Sequence, residues 1–148
     1  METCAQVMTR DPTACLSTDT AHQAATLMKG QDVGSVPVVE SRETNRLVGI
    51  ITDRDLTLKV IADGRDPDST QLEALMTRHP VTCKPNESLQ KVFDTMADHQ
   101  VRRILVVNDQ NRLVGIISQA DVATRIGAPK KTGEVVERVS RRPASVGV

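Results

Sequence analysis

The chain has 148 residues, and its 19 basic side chains are balanced by 19 acidic ones, so it lacks the net field of a general binder of nucleic acid or of anionic membrane surfaces. That length suits one compact domain or two small, intimately packed halves, and roughly 70% of the unfolded chain's surface can be buried, so neither disulfides nor metal are needed for cohesion. With no Trp or Tyr and Phe93 as the single Phe, there are no aromatic platforms for stacking single strands, and any bound base must lie between aliphatic side chains.

No apolar run approaches the roughly 20 residues of a membrane span. Residues Met1 to Arg10 lack the basic-then-apolar order of a signal peptide. A cytoplasmic protein is expected. The cysteines Cys4, Cys15 and Cys83 are odd in number and lack C-x-x-C spacing, which argues against a disulfide framework or a zinc site.

In chain order, Val7-Met8-Thr9-Arg10-Asp11-Pro12 precedes a short strand candidate, Thr13-Ala14-Cys15-Leu16. Thr20 and Gln23 in capping-box spacing predict a helix that starts near Thr18 to Thr20 and buries Ala21, Ala24, Ala25 and Met28 on one face. Val33-Gly34-Ser35-Val36-Pro37-Val38-Val39 is rich in β-branched residues and predicts a strand. Beyond a polar loop, the apolar run Leu47-Val48-Gly49-Ile50-Ile51 predicts its antiparallel neighbour. Thr52, followed three positions later by Asp55, reads as a capping-box helix start. The helix from Asp53 to Ala62 carries apolar residues at 56 and 60 and also at 58 and 61. One buried stripe does not need so many, so a second face is expected to meet a partner. Asp63 to Thr70, with Gly64, Pro67 and several acids, reads as a linker.

The pattern then recurs. Leu75-Met76-Thr77-Arg78-His79-Pro80 repeats the opening, Val81-Thr82-Cys83 the first strand, and Leu89, Val92, Phe93, Met96 and Ala97 give a cleaner helical stripe. Val101-Arg102-Arg103-Ile104-Leu105-Val106-Val107 repeats the next strand. Residues Asn111 to Asp121 repeat Asn45 to Asp55, with the first seven positions identical and Ser118 and Asp121 in place of Thr52 and Asp55. Met8 and Met76 lie 68 positions apart, whereas Gly49 and Gly115 lie 66 apart. The two extra residues are most simply placed in the loop from Glu40 to Asn45. Cys15 and Cys83 occupy matching positions and read as small apolar strand residues before they read as a redox pair.

The expected division is therefore a first repeat over 1–66, a second over 67–127, and a basic tail over 128–148. The tail, with Lys130, Lys131, Arg138, Arg141 and Arg142, is a short helix or a loose end of the kind usually just solvated. The expected fold class is α/β (α+β), each repeat carrying a three-stranded mixed sheet with flanking helices. One repeat alone would hardly cover both sheet faces, so two sheets related by a pseudo-twofold axis are the economical arrangement, with two equivalent clefts. An acid beside free N–H groups at the carboxyl end of a strand is where an open α/β layout places ligands.

The Met-Thr openings, the run Gly34 to Val39, and the run Gly49 to Asp55 with their second-copy twins resemble the cystathionine β-synthase (CBS) domain. The resemblance covers residues 5 to 126. The whole chain resembles a tandem CBS pair, the Bateman module, and is closest in shape to small stand-alone bacterial two-CBS proteins, those of hypoxic-response type among them. That resemblance implies a regulatory, non-enzymatic module with no catalytic cofactor, which binds adenosyl ligands such as AMP, ADP, ATP or S-adenosylmethionine. It further implies a homodimer of pairs and a regulated protein partner that the sequence does not identify.

By the family's motif, Asp55 and Asp121 accept hydrogen bonds from ribose hydroxyls, with Thr52 and Ser118 near the ribose or phosphate. A carboxylate can accept from both hydroxyls of a cis-diol. Adenine would lie against Ala14, Cys15, Val33, Val36 and Pro37 in one cleft, and against Thr82, Cys83, Val101 and Ile104 in the other. Arg102 and Arg103 stand where the first copy has Gly34 and Ser35. In the family a basic residue at either position often reaches phosphate, so Arg102 and Arg103, joined by Arg54, are expected as phosphate contacts for a ligand in the cleft of Asp55, against the alternative of surface ion pairing with acids such as Asp98. Leu105 departs from the Pro that the family prefers. The competing reading is a structural or interaction dimer with vestigial or differently occupied clefts. Catalysis ranks last, because His22, His79 and His99 are scattered with no nucleophile or metal-ligand spacing.

Overall fold

The computed structural model describes residues 2–126; the basic tail, for which a short helix or a loose end is expected, lies outside the described residues. In order, the elements are α1 (Cys4–Val7), β1 (Thr9–Arg10), β2 (Cys15–Leu16), α2 (Ala21–Gln31), β3 (Ser35–Val39), β4 (Leu47–Thr52) and α3 (Asp53–Leu56), the last running on as a π-helical turn over Thr57–Ile61. A 3-10 turn (Leu72–Ala74) leads to β5 (Thr77–Arg78), β6 (Thr82–Cys83), α4 (Leu89–His99), β7 (Arg103–Val107), β8 (Leu113–Ser118) and α5 (Gln119–Ile126). The loop between β3 and β4 occupies residues 40–46 and that between β7 and β8 residues 108–112, which puts the two extra residues of the first copy where the sequence offsets place them.

The mixed α/β class is as expected, and each sheet gains one strand beyond the three of its own repeat. One compact unit is Thr13–Pro80, with strand order β2-β3-β4-β5; the other combines Met1–Pro12 with the chain from Val81 onward, with order β1-β8-β7-β6. The fourth strand of each sheet thus comes from the segment that opens the other sequence copy. Thr9 and Arg10 pair antiparallel with Ile116 and Gly115, and Thr77 and Arg78 pair in the same way with Ile50 and Gly49.

The glycine of the Leu-Val-Gly-Ile-Ile run makes this exchange possible. A Cβ at Gly49 would stand 2.7 Å from Met76 Sδ and 2.8 Å from the Thr77 carbonyl, and one at Gly115 would meet Met8 Sδ and the Thr9 carbonyl. The Met-Thr openings and the strand glycines are therefore two halves of one contact, made once in each unit.

Each unit has its own core. In Thr13–Pro80 it gathers Ala24, Met28, Val36, Val38, Ile51, Leu72 and Leu75; in the other unit Val92, Met96, Ile104, Val106, Ile117 and Val122. Thr20 caps α2 reciprocally with Gln23, as its spacing predicts. Ala25, expected on the buried face of α2, is exposed: the buried arc is centred on Ala24 and Met28 and extends to Leu27, on the side away from Ala25. All five residues of the α4 stripe are buried. Past α3, Val60 is buried while Leu58 and Ile61 are 44% and 76% exposed.

Candidate functional site

The doubled strand-to-helix turns are built by their own hydrogen bonds. In the first repeat the Asp55 N–H donates to Thr52 Oγ1 (3.1 Å) and the Thr52 N–H donates to Asp55 Oδ2 (3.0 Å), closing the capping box. Asp55 Oδ1 also pairs with Lys59 Nζ at 3.2 Å, and that ammonium donates to the Leu75 carbonyl at 2.8 Å. In the second repeat the Asp121 N–H donates to Ser118 Oγ (3.2 Å) and the Ser118 hydroxyl donates to Asp121 Oδ2 (2.9 Å). Among the described residues no lysine pairs with Asp121, and Arg125, four residues on, pairs with Glu2 at 3.2 Å. A carboxylate offers about four lone-pair positions, so each acid keeps acceptor capacity beyond these bonds.

Gly34 and Ser35 lie across from this turn, Ser35 opposite Thr52 in the ladder. The Asp53 N–H donates to the Gly34 carbonyl at 2.9 Å, and a Cβ at Gly34 would sit 3.0 Å from Asp53 Oδ2. In the second repeat, Arg103 stands opposite Ser118 and the Gln119 N–H donates to the Arg102 carbonyl at 2.7 Å. Arg54, Arg102 and Arg103 are exposed.

These bonds fix which way each strand position faces. On β3, residues 34, 36 and 38 turn their amides toward β4, while 35 and 37 turn theirs toward β2. The β2 ladder covers only Cys15 with Val38 and Leu16 with Val39. The next pairing, Ala14 with Pro37, requires an N–H that proline lacks. Thr13 is held instead by the side-chain amide of Gln31, which donates to its Oγ1 at 3.0 Å. In the second repeat the matching residue is Leu105, and there the ladder does reach it, Thr82 with Leu105 and Cys83 with Val106. The sheet edge beside Ala14 is open in the first repeat, and its counterpart in the second is closed by one pairing.

The structure therefore brings Ala14, Gly34, Pro37, Thr52, Arg54 and Asp55 to one end of the first repeat's sheet, and Thr82, Arg102, Arg103, Ser118 and Asp121 to the same end of the second. It places the side chains of Cys15, Val36, Cys83 and Ile104 inside the two cores, with Val33 and Val101 partly buried against them. Burial pushes the Cys15 thiol up to about 11, with Asp19 adding and Arg42 opposing. Sequence reasoning missed Lys59, legible as the basic partner four residues after Asp55. It also missed Asp53 and Gln119; the Gln119 Oε1 atom is buried with no hydrogen-bond partner among the described residues. Among the described residues, no group of three or more His, Cys, Asp or Glu is placed to hold a metal ion, and no helix is long and apolar enough to cross a membrane.

Comparison with known proteins agrees with the duplication. The family model described as "CBS domain" matches residues 4–61 and 72–128. The CBS domain-containing protein YhcV of Bacillus subtilis is 36% identical over 142 residues, 96% of this chain and 98% of that protein. Among solved structures, hypoxic response protein I with two coordinated zinc ions superposes with a TM-score of 0.73 at 33% identity, covering 83% of this chain and 98% of that one. The CBS domain pair of protein MJ0100, in complex with 5′-methylthioadenosine and S-adenosyl-L-methionine, gives 0.70 at 25% identity, covering 86% and 97%.

Proposed function

The chain belongs to the CBS domain family, two copies of which fill most of it, and from that premise we propose that it is a non-enzymatic regulatory module whose repeats bind an adenosyl ligand and pass its occupancy to a protein partner. The observation that carries this reading is the pair of capped acidic turns, each at the carboxyl end of a sheet strand. The relative crystallised with 5′-methylthioadenosine and S-adenosyl-L-methionine supports the ligand class.

In this reading, Asp55 accepts the ribose hydroxyls with the lone pairs left over from Thr52 and Lys59. The backbone groups along the open edge of β3 read the base, and the Ala14 segment with Pro37 forms an aliphatic wall. Cys15 and Val36 face the core and their main-chain groups are taken up by the ladders to the neighbouring strands, so they back that wall without touching the ligand. Arg54, Arg102 and Arg103 serve a phosphate-bearing ligand. Occupancy then shifts the balance between conformations of the module, which a partner reads.

The test is calorimetric titration of the full chain with AMP, ADP, ATP and S-adenosylmethionine. Asp55→Asn, which retains the capping oxygen and removes the charge, is expected to weaken binding by about 10-fold or more. Arg103→Ala is expected to weaken AMP while leaving adenosine unchanged. If none of the four compounds produces heat or a thermal shift at millimolar concentration, the adenosyl reading fails. Exposed Leu58 and Ile61 favour the second reading, an interaction dimer indifferent to nucleotides, for which Asp55→Asn would change neither assembly nor partner capture.

A further inference from the structure

Cys83 meets a cysteine, but not the one at its matching position. Cys15 belongs to the core of the other unit, whereas Cys4 and Cys83 share a core and lie Sγ to Sγ at 3.4 Å, 79 residues apart in sequence. The contact is held by the backbone: the Cys4 N–H donates to the Glu87 carbonyl and the Ala5 N–H to the Pro85 carbonyl, both at 2.9 Å. These bonds seat α1 against the segment that follows β6. A disulfide needs sulfurs about 2.0 Å apart, a closure within reach of side-chain rotation and a small shift of the single turn of α1.

We propose that Cys4 and Cys83 form an oxidation site, a reversible disulfide that clamps the exchanged opening segment onto the second repeat, with a low-molecular-weight disulfide as oxidant. The Cys4 thiolate attacks one sulfur of oxidised glutathione, breaking its S–S bond and releasing one glutathione thiolate. The Cys83 thiolate then attacks the Cys4 sulfur of the mixed disulfide, forming the protein S–S bond and expelling the second. Two electrons pass from the protein thiols to the oxidant, and the two thiol protons end on the two glutathiones.

Cys4 is the attacking group for two reasons. It lies on a helix of four residues whereas Cys83 lies in a sheet strand, and the hydrogen bond between the thiols holds Cys4 below the ordinary thiol range while it pushes Cys83 above it, burial adding to the rise. Oxidation closes a loop through nearly eighty residues, and long loops constrain the unfolded chain most.

The experiment uses the full chain, reduced, desalted and incubated with oxidised glutathione, followed by intact mass measurement and peptide mapping without reductant. The expected result is a loss of about 2 Da, a linked pair of peptides containing Cys4 and Cys83, and a melting temperature raised by about 5 °C or more, reversed by dithiothreitol. Cys15→Ser should behave like the parent chain, and Cys4→Ser and Cys83→Ser should lose the shift. Stable glutathione adducts, a link through Cys15, or an unchanged mass overturns the proposal. The peptide map of the parent chain decides this whether or not the serine variants fold.

Discussion

Asp55 and Glu87 show what one carboxylate does when it closes a turn. Asp55 bonds the Thr52 N–H and the Lys59 ammonium, so removing it disturbs the fold as well as any ligand. Asp55→Ala is expected to lower stability by about 1 kcal/mol through the lost cap, measurable by urea denaturation without nucleotide, while Asp55→Asn is expected to keep most of it. Glu87 bonds the Lys84 N–H at 2.6 Å and Lys91 Nζ at 2.8 Å. Burial pushes its carboxyl up, but Lys91 and Lys84 together outweigh that and hold it below the ordinary 4.5. Because the folded value lies below the unfolded one, this stabilisation is complete above about pH 5 and is lost as pH falls through 4.5 to the folded value. The stability gap between the parent chain and Glu87→Gln should therefore be largest near neutrality and close in acid, as urea midpoints from about pH 7 down to pH 3 would record.

At the scale of the element, the paired strands explain two features of the repeated motif. Gly49→Ala puts a methyl against Met76 and the Thr77 backbone and is expected to cost about 1 to 3 kcal/mol, read as a lower urea midpoint; a neutral result would mean that β5 does not pair as described. Pro37 and Leu105 make the repeats unequal. If an open edge admits the base, the parent chain binds one adenosyl ligand in its first repeat, Pro37→Leu loses that site, and Leu105→Pro gains a second, with stoichiometry from equilibrium dialysis as the readout. Two ligands bound per parent chain would show that the extra ladder pairing at Leu105 does not exclude the base.

For the molecule as a whole, duplication and exchange are linked. Each sheet is completed by the opening of the other sequence copy, so cutting the chain between the copies would leave each half without its fourth strand. Repeat fragments 1–66 and 67–127 expressed separately are expected to show broad, weakly cooperative melting, whereas the fragment 13–80 retains its complete sheet and is expected to melt more sharply. In the full chain, a ligand held at 100 times its dissociation constant contributes about 2.7 kcal/mol, or a rise of about 5 °C or more, and the same ligand should leave Asp55→Asn much less shifted.

The sequence by itself determined what is local and periodic. It showed the duplication, the two-residue offset, the buried stripe of α4 and, apart from Ala25, that of α2, and the caps at Thr20, Thr52 and Ser118, because side-chain spacing and capping chemistry act within one turn and repeat at fixed intervals. It also marked the acids of the two turns and Leu105 as a departure from the family pattern. Only the tertiary structure decided contacts that no spacing encodes: that each opening strand joins the other copy's sheet, that Met8 and Met76 lie on Gly115 and Gly49, that Cys83 meets Cys4 rather than Cys15, and that Cys15 and Val36 point into the core. A strand pairs with whatever edge lies beside it in space, and a side chain's facing follows from that register, so residues tens of positions apart become neighbours without leaving a periodic trace in the chain.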